Sequence, residues 1–576
     1  MAGQRHDERA NVSQRDHLRR SILPLWASIL ALAVCAPLFS RGYVLSYDMV
    51  WVPHLDLDRA ELWGLGSALP RAVPSDAVVA LLGTVIPAAV VQRIVLFAAL
   101  FLIATGVGRL LRNRPMGAQL AGATFAVWNP FVAERLVLGQ WPLLLAAAAM
   151  PWLIAALLDD DGPRWPVVIF ALAGTALTPA TGLMGLVIVL VAAGRKLLLP
   201  VLGLAGLLNL PWIAAGLVHS GGRSDPAAVA LFEAQAEGHF GRLGSVLSLG
   251  GIWNTEVVPT SRTLVLTVVL TTLIGAVIIA GLVTLWRGER RLLGVLAAAG
   301  VVGLAMALAG WLAPDLIERI VSDVPGGGLI RDGTRWLALL VPLQAVAFGA
   351  GVCALLNAAR TWVAPIAVLG VVLPLAALPD LAWGVGGRLE PSTYPASWSS
   401  ARTAIAESDI SGDILVLPFS AYRRPSWNHD TPVFDPAGRF FDRTTITNDE
   451  LDVSGTTIKG EDPRARLIKD VLDGSNVLME LPNEHIGIIV VDTEAPGADE
   501  ALGLVAGADE LDVAGDDLRV FTVPGAASAD VSPGNRSIMR SAWIMAGLTL
   551  LGGMGAAFRR SDRKLAEDDP RDVPQA

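Results

Sequence analysis

Long apolar runs limit this chain more than any other feature. Residues 21–39 and 264–286 contain no charged side chain, and each can cross about 30 Å of hydrocarbon as a helix. Backbone polar groups inside a bilayer must pair within the protein, which leaves helices and closed barrels as spanning structures. Barrel strands alternate apolar and polar residues over roughly ten positions; these runs are apolar throughout. With 53% hydrophobic and 17% charged residues in 576, the expected fold class is a polytopic α-helical membrane protein.

Lys and Arg placement orients the path, because cytoplasmic connections carry the positive excess. Five arginines between Arg5 and Arg20 precede the first run. That run ends without an A-x-A cleavage pattern, so it reads as an uncleaved first helix. Residues 21–39 lead outward, and the short apolar stretch 77–91, which contains Pro87, lies flat on the outer surface. Residues 92–111 then descend to Arg109, Arg112 and Arg114. Residues 116–128 ascend to an outer turn at 129–140, and 141–158 descend. Stretches 167–181 and 182–193 form an out-and-back pair, and 197–218 ascend to an outer loop at 219–262. Further spans follow at 263–286, 292–312, 336–357, 362–383 and 541–558, with an outer loop at 313–335. The expectation is about twelve spans with both termini cytoplasmic.

The domains read as a cytoplasmic Arg-rich tail (1–20), a transmembrane domain (21–386), an extracytoplasmic acidic α/β domain (387–540), a last transmembrane helix (541–558) and a cytoplasmic tail (559–576). Residues 566–576 have a disordered composition. Within 387–540, 26 acidic residues face 13 basic ones, a net charge of −13 against −9 for the whole chain. So acidic a segment is a poor partner for nucleic acid. Residues 397–407 and 464–481 have helical periodicity, with Asp462-Pro463 as a helix start. Residues 413–418 and 485–492 read as strands, and 510–514 with 518–523 flank Gly515-Asp516-Asp517 as a hairpin. Cys35 and Cys353 both lie in apolar runs and read as small core residues, with no disulfide framework.

Four outer segments combine charge with membrane proximity. In the first loop, Asp48 lies between Tyr47 and Trp51, rings expected to shield it from water; desolvation raises a carboxylate's pKa and suits a general base. Beside it stand His54, Asp56 and Asp58, and the D-x-D spacing of the last two is a candidate divalent-cation site. In the second, Arg331 and Arg335 are four apart, on one face of a helix that begins early, a pattern suited to bidentate contacts with phosphate; Asp332 is a candidate ion-pair partner. In the third, Glu134 and Arg135 lie among apolar residues as a salt bridge, gate or ligand pair, and Asn129-Pro130 reads as a helix-breaking turn. In the fourth, following the strand at 414–417, Tyr422 and Trp427 are candidates for stacking on sugars, and Arg423, Arg424 and Asn428 for hydrogen-bonding hydroxyls. No phosphate-binding G-x-x-x-x-G-K-[ST] loop, G-x-S-x-G elbow or H-E-x-x-H helix is present.

The acidic loop with Asp48, the Asn129-Pro130-Phe131…Gly139-Gln140-Trp141-Pro142 segment and Leu329-Ile330-Arg331-Asp332-Gly333-Thr334-Arg335-Trp336 resemble the GT-C superfamily of membrane glycosyltransferases. The last two look like segments of actinobacterial arabinofuranosyltransferase-like proteins. The resemblance implies inverting transfer of a sugar from a polyprenyl-phosphate donor to a cell-envelope glycan acceptor outside the membrane. It assigns Asp48 as general base, and Arg331 and Arg335 to the leaving phosphate. His54, Asp56, Asp58, Glu134, Arg135 and Asp332 remain candidates for a supporting role, and Tyr422, Arg423, Arg424 and Trp427 for acceptor binding. The alternative function is a non-catalytic flippase or scaffold for lipid-linked sugars.

Overall fold

The computed structural model describes residues 21–219, 224–453 and 455–567. The Arg-rich tail at 1–20 lies outside the described residues, as does nearly all of the tail at 566–576. Among the described residues, seven helices are long and apolar enough to cross a membrane: Ser21–Phe39, Ala88–Leu110, Arg195–Val218, Val265–Gly288, Arg290–Leu312, Val341–Ala358 and Arg360–Ala377. Shorter apolar helices occupy Met116–Val127, Trp141–Leu157, Trp165–Thr175 and Pro179–Ala192, and Pro533–Glu567 closes the described chain. The stretch expected to lie flat at 77–91 is divided. Ser75–Gly83 forms one helix, and the next starts at Ala88, directly after Pro87, whose missing N–H is harmless only at a helix start.

Helices pack closely where glycines remove the side chain. A Cβ on Gly281 would fall 1.7 Å from the Ala347 carbonyl oxygen, and one on Gly351 would fall 2.0 Å from that of Val277. Val265–Gly288 and Val341–Ala358 therefore meet backbone to backbone, as small residues allow between membrane helices.

Two segments expected as outer loops are built differently. The turn at 129–140 contains a helix, Pro130–Val137, all eight residues of which are buried. Asn129 caps it by accepting the Val132 N–H at 3.1 Å, and Pro130 occupies the first helical position. The loop at 313–335 holds an amphipathic helix, Pro314–Asp323, which buries Ile317 and Val321. Two 3-10 turns follow, Gly327–Ile330 and Gly333–Leu339. The next apolar helix starts only at Val341, so Arg331 and Arg335 do not share the face of one helix. Asp332 interrupts between them with non-helical backbone, at φ −91° and ψ 86°.

Residues beyond Gly387 form a mixed sheet of order Asp509–Leu511, Leu518–Thr522, Ile486–Asp492, Asp413–Leu417, Thr445–Ile446. The Asp413–Leu417 and Ile486–Asp492 pair is parallel and forms the buried centre, which suits their β-branched sequences. The hairpin around Gly515 forms with antiparallel register. Ala396–Glu407 and Pro463–Leu472 are helical, the latter capped by Asp462. This sheet does not stand apart from the helices. Val52, Leu55 and Leu62 of the first loop share a core with Trp398, Phe440 and Ile488, and Tyr43–Val44 pairs with Pro391–Ser392.

Gly281→Ala is expected to lower the thermal midpoint of the detergent-purified protein by several degrees, roughly the 1–3 kcal/mol of an overpacked core. Gly275→Ala, whose added Cβ meets nothing within 4 Å, should leave it unchanged. Equal midpoints for the two variants would show that the close helix contact is not a determinant of stability.

Candidate active site

Asp48 sits where the first loop crosses two other elements. Its N–H donates to the Leu138 carbonyl at 3.1 Å, at the end of the short buried helix. Gly139, at φ +79°, makes this approach possible: a Cβ there would fall 2.2 Å from the Met49 nitrogen. On its other side, the backbone of Tyr47 is stitched to the sheet domain. Its N–H donates to Pro432 O at 2.6 Å and its carbonyl accepts from the Phe434 N–H at 2.9 Å. Asp48 is exposed, not shielded by the neighbouring rings. Tyr47 turns away to donate to Glu256 at 2.6 Å, and Trp51 packs against Trp141 with ring centroids 5.7 Å apart.

The groups that touch the Asp48 carboxylate come from distant parts of the chain. Tyr422 Oη donates to one oxygen at 2.7 Å and Gln140 Nε2 to the other at 3.3 Å. Burial, reinforced by the Asp48 charge, pushes the Tyr422 phenol well above its ordinary pKa, so it remains a donor at neutral pH. Gln140 Oε1 in turn accepts from Arg135 Nη1 at 2.9 Å. Arg135, 1% exposed, also reaches Asp332 at 3.3 Å and the Thr334 hydroxyl at 2.6 Å. Arg335 Nε lies 2.9 Å from Asp332. Burial works against the Asp332 charge, but Arg135 and Arg335 outweigh it and hold its carboxyl below the usual range. A continuous polar chain thus runs Tyr422–Asp48–Gln140–Arg135–Asp332–Arg335.

Arg331 takes a separate partner. Its Nη1 donates to Glu461 Oε1 at 2.6 Å, and its guanidinium lies over Phe232, 5.3 Å from the ring centre. Arg71 also pairs with Glu461, through Nε at 3.2 Å and through Nη2. Burial and the nearby Arg71 charge draw the Arg331 pKa down to about 10, which leaves it cationic at neutral pH. Asp48, Arg71, Arg331, Arg335, Tyr422 and Glu461 all line one cavity of about 1220 Å³. Its remaining wall is largely apolar, including Leu138, Trp141, Leu183, Trp212 and Leu217. The arrangement joins a solvent-accessible carboxylate, a set of guanidinium groups and an apolar surface in one space.

The other sequence candidates fall in different places. Glu134 does not pair with Arg135 in a simple salt bridge; it is buried against Glu237 and Arg262. His54 is exposed and lines a small side cleft with Asp48, Asp76 and Arg439. Asp56 and Asp58 lie outside the residues lining the large cavity, and Asp56 Oδ1 accepts the Asp58 N–H at 3.1 Å in a local turn. Among the described residues, no group of three or more His, Cys, Asp or Glu side chains is placed to hold a metal ion. Arg423 touches the cavity but is buried and committed to Asp435, Asp492 and the Pro418 carbonyl. Trp427 packs with Tyr394 and Trp398, and Asn428 holds the Leu45 carbonyl at 3.1 Å. Arg424 reaches Glu256 at the cavity rim.

Arg71 and Glu461 lie in no motif, and Gln140 lies in the 129–142 segment with no role assigned to it there. The partners of Arg71, Gln140 and Glu461 are 390, 92 and 130 positions away, so only the folded chain brings them in.

The overall chain path matches a solved membrane enzyme. The cryo-EM structure of the arabinofuranosyltransferase AftD from mycobacteria superposes with a TM-score of 0.57 at 17% identity, covering 89% of this chain and 40% of that one. A mutant of that enzyme gives a TM-score of 0.54 at 16% identity, covering 88% and 42%. The fold is similar to that of AftD. At this identity the likeness is one of fold, and the chain spans less than half the length of AftD. Together with the seven membrane-length helices, it makes this a multi-pass membrane protein. The sequence matches no protein-family profile and no curated protein.

Burial, followed by the Glu237 carboxylate, pushes the Glu134 pKa well above the ordinary carboxylate range. The folded protein thus retains a proton that the unfolded chain loses, so this group's contribution to stability declines as pH rises toward the folded pKa. Glu134→Gln keeps the neutral form at every pH. From about pH 5 to pH 8 the thermal midpoint of the wild type should fall relative to that of Glu134→Gln; parallel curves would mean that Glu134 is ionised in the fold.

Proposed function

We propose that this protein transfers a sugar from a polyprenyl-phosphate-linked donor to a hydroxyl of a cell-envelope glycan on the outer face of the membrane. The observation that carries the reading is the single cavity in which the Asp48 carboxylate and the arginines Arg331 and Arg335 meet an apolar wall. Asp48 takes the proton of the acceptor hydroxyl as its oxygen bonds to the anomeric carbon. The bond from that carbon to the phosphate oxygen breaks, and its electron pair leaves with the phosphate. Attack opposite the leaving group inverts the anomeric centre. Arg331 and Arg335 meet the charge that develops on the phosphate, where fixed donors in a water-poor site act most strongly. Tyr422 and Gln140 orient Asp48, and Arg135 with Asp332 sets the position of Gln140 and Arg335.

The arrangement in the membrane belongs to the same proposal. Twelve spans, cytoplasmic termini and an extracytoplasmic sheet domain put the cavity on the side where a lipid-linked sugar and an envelope glycan meet. Arabinofuranosyl transfer by AftD makes a polyprenyl-phosphate arabinofuranose the first donor to try. Arg424 and Tyr422 at the rim are the acceptor contacts that this geometry favours.

The test is single-turnover transfer by full-length protein in membranes, with that donor and an arabinan acceptor. Asp48→Asn should lower the rate by about 10²–10⁴-fold with little change in donor binding. Arg331→Ala should lower rate and donor affinity together. If Asp48→Asn retains full transfer, Asp48 is not the base; if it restores the envelope glycans of a deletion strain as well as wild type while Arg331→Ala does not, lipid binding without base catalysis becomes the better account. Tyr422→Phe removes one orienting hydrogen bond and should cost about tenfold in rate, and Arg135→Ala more, because it removes one of the two cations paired with the buried Asp332 and the donor that holds Gln140.

A further inference from the structure

Glu461 occupies an anion receptor inside the cavity. Its side chain is 4% exposed. Oε1 accepts from Arg331 Nη1 at 2.6 Å and from the Ser224 hydroxyl. Oε2 accepts from Arg71 through Nε and Nη2. Two guanidinium groups and a hydroxyl converging on one oxyanion are the donor set that recognises a phosphate ester. Glu461 pays desolvation, yet Arg71 and Arg331 overcome it and hold its pKa at about 2, so the group is anionic at any working pH. Its ligands Arg71, Arg331 and Ser224 all line the cavity. The donors of the seat therefore face the cavity, and the chain's own carboxylate fills it.

The segment that carries Glu461 is a narrow arm of the sheet domain. A two-stranded hairpin, Leu451–Val453 with Thr456–Ile458, leads into it. Asp449 Oδ2 accepts the N–H groups of Glu461 and Asp462 at 2.6 and 2.9 Å. Gly460 allows that turn, since a Cβ there would fall 1.9 Å from Asp449 Oδ1. The far end is anchored at Asp462, which caps Pro463–Leu472. Ile458 packs on Ala228 and Phe232, so the arm spans from the sheet domain to the loop that supplies Ser224.

We propose that Glu461 holds the phosphate seat when no donor is bound and is displaced by an incoming phosphate ester, so that the turn Asp449–Asp462 carrying it, of which 449–453 and 455–462 are described, moves on donor binding. This rests on Arg331 being a donor-phosphate ligand, as in the proposed function. The swap conserves charge at the arginines: one oxyanion leaves Arg71 and Arg331 as another arrives. Glu461 thereby selects for ligands whose anion outcompetes a tethered carboxylate, and it couples occupancy of the cavity to the position of the sheet domain's arm.

The test uses full-length protein in phosphatidylcholine nanodiscs, with polyprenyl monophosphate and inorganic phosphate as separate probes. Polyprenyl monophosphate should speed hydrogen exchange across 449–462 in the wild type. Glu461→Gln should bind it about tenfold tighter, with the arm exchanging fast before any addition. Asp449→Ala, which releases the N–H groups of Glu461 and Asp462 but leaves the donors of the seat in place, should shift both readouts in the same direction by less, and it serves if Glu461→Gln fails to fold. Binding that depends on Arg331 but is unchanged or weakened in Glu461→Gln, with no change in exchange, would overturn the displacement and leave the glycosyl-transfer reading intact. An equal response to inorganic phosphate, with no gain from the lipid, would support displacement and overturn the lipid-donor reading. No binding of either probe to wild type or variants would overturn both.

Discussion

A single buried guanidinium organises the centre of this molecule. Arg135 is 1% exposed and divides its donors among Asp332, Thr334 and Gln140. A charge so removed from water is costly unless each partner is in place, so the position of Arg135 dictates the positions of the rest. Asp332 is held between Arg135 and Arg335, and Gln140 is turned toward Asp48. The short buried helix Pro130–Val137 exists to carry this side chain inward, and its Asn129 cap and Gly139 exit fix where it starts and where the chain leaves. Beneath it, Glu134 meets Glu237 and Arg262, which ties the long loop after Val218 to the same helix.

The cavity belongs to neither half of the protein alone. The helical part supplies Asp48, Gln140 and the arginines, and the sheet domain supplies Tyr422 and Glu461. Each contribution from the sheet is bonded to a charged residue of the helical part. Apolar packing reinforces the join, since first-loop leucines sit in the core of the sheet domain. A break in either half would therefore be felt in the geometry of the other.

Much of the architecture was legible from composition. Apolar runs, prolines and glycines located most helices to within a few residues, and β-branched runs located the central strands. The stretches 167–181 and 362–383, however, end earlier, at Thr175 and Ala377, 336–357 starts later, at Val341, and 541–558 is part of a longer helix, Pro533–Glu567. Asp48, Arg331 and Arg335 stood out as charges beside apolar runs, and all three line one cavity. The failures share a cause. Tyr47 and Trp51 flank Asp48 in sequence but turn toward Glu256 and Trp141, because adjacent residues in an irregular loop need not face the same way. Arg423 and Trp427 resemble ligand residues by type, yet they stabilise the loop that presents Tyr422. Burial decides between those roles, and no local pattern encodes it.

A membrane-embedded helical chain with an acidic α/β segment can be read position by position, because hydrocarbon admits only long uncharged helices and because net charge and β-branched runs are local properties. Which residues share the site depends on contacts that form across the whole fold. Tyr422 lies 374 positions from Asp48, and Glu461 lies 130 from Arg331. Such pairings follow from how helices and sheet dock, where desolvated charges must each find a partner, and that condition is met only once the whole chain has folded.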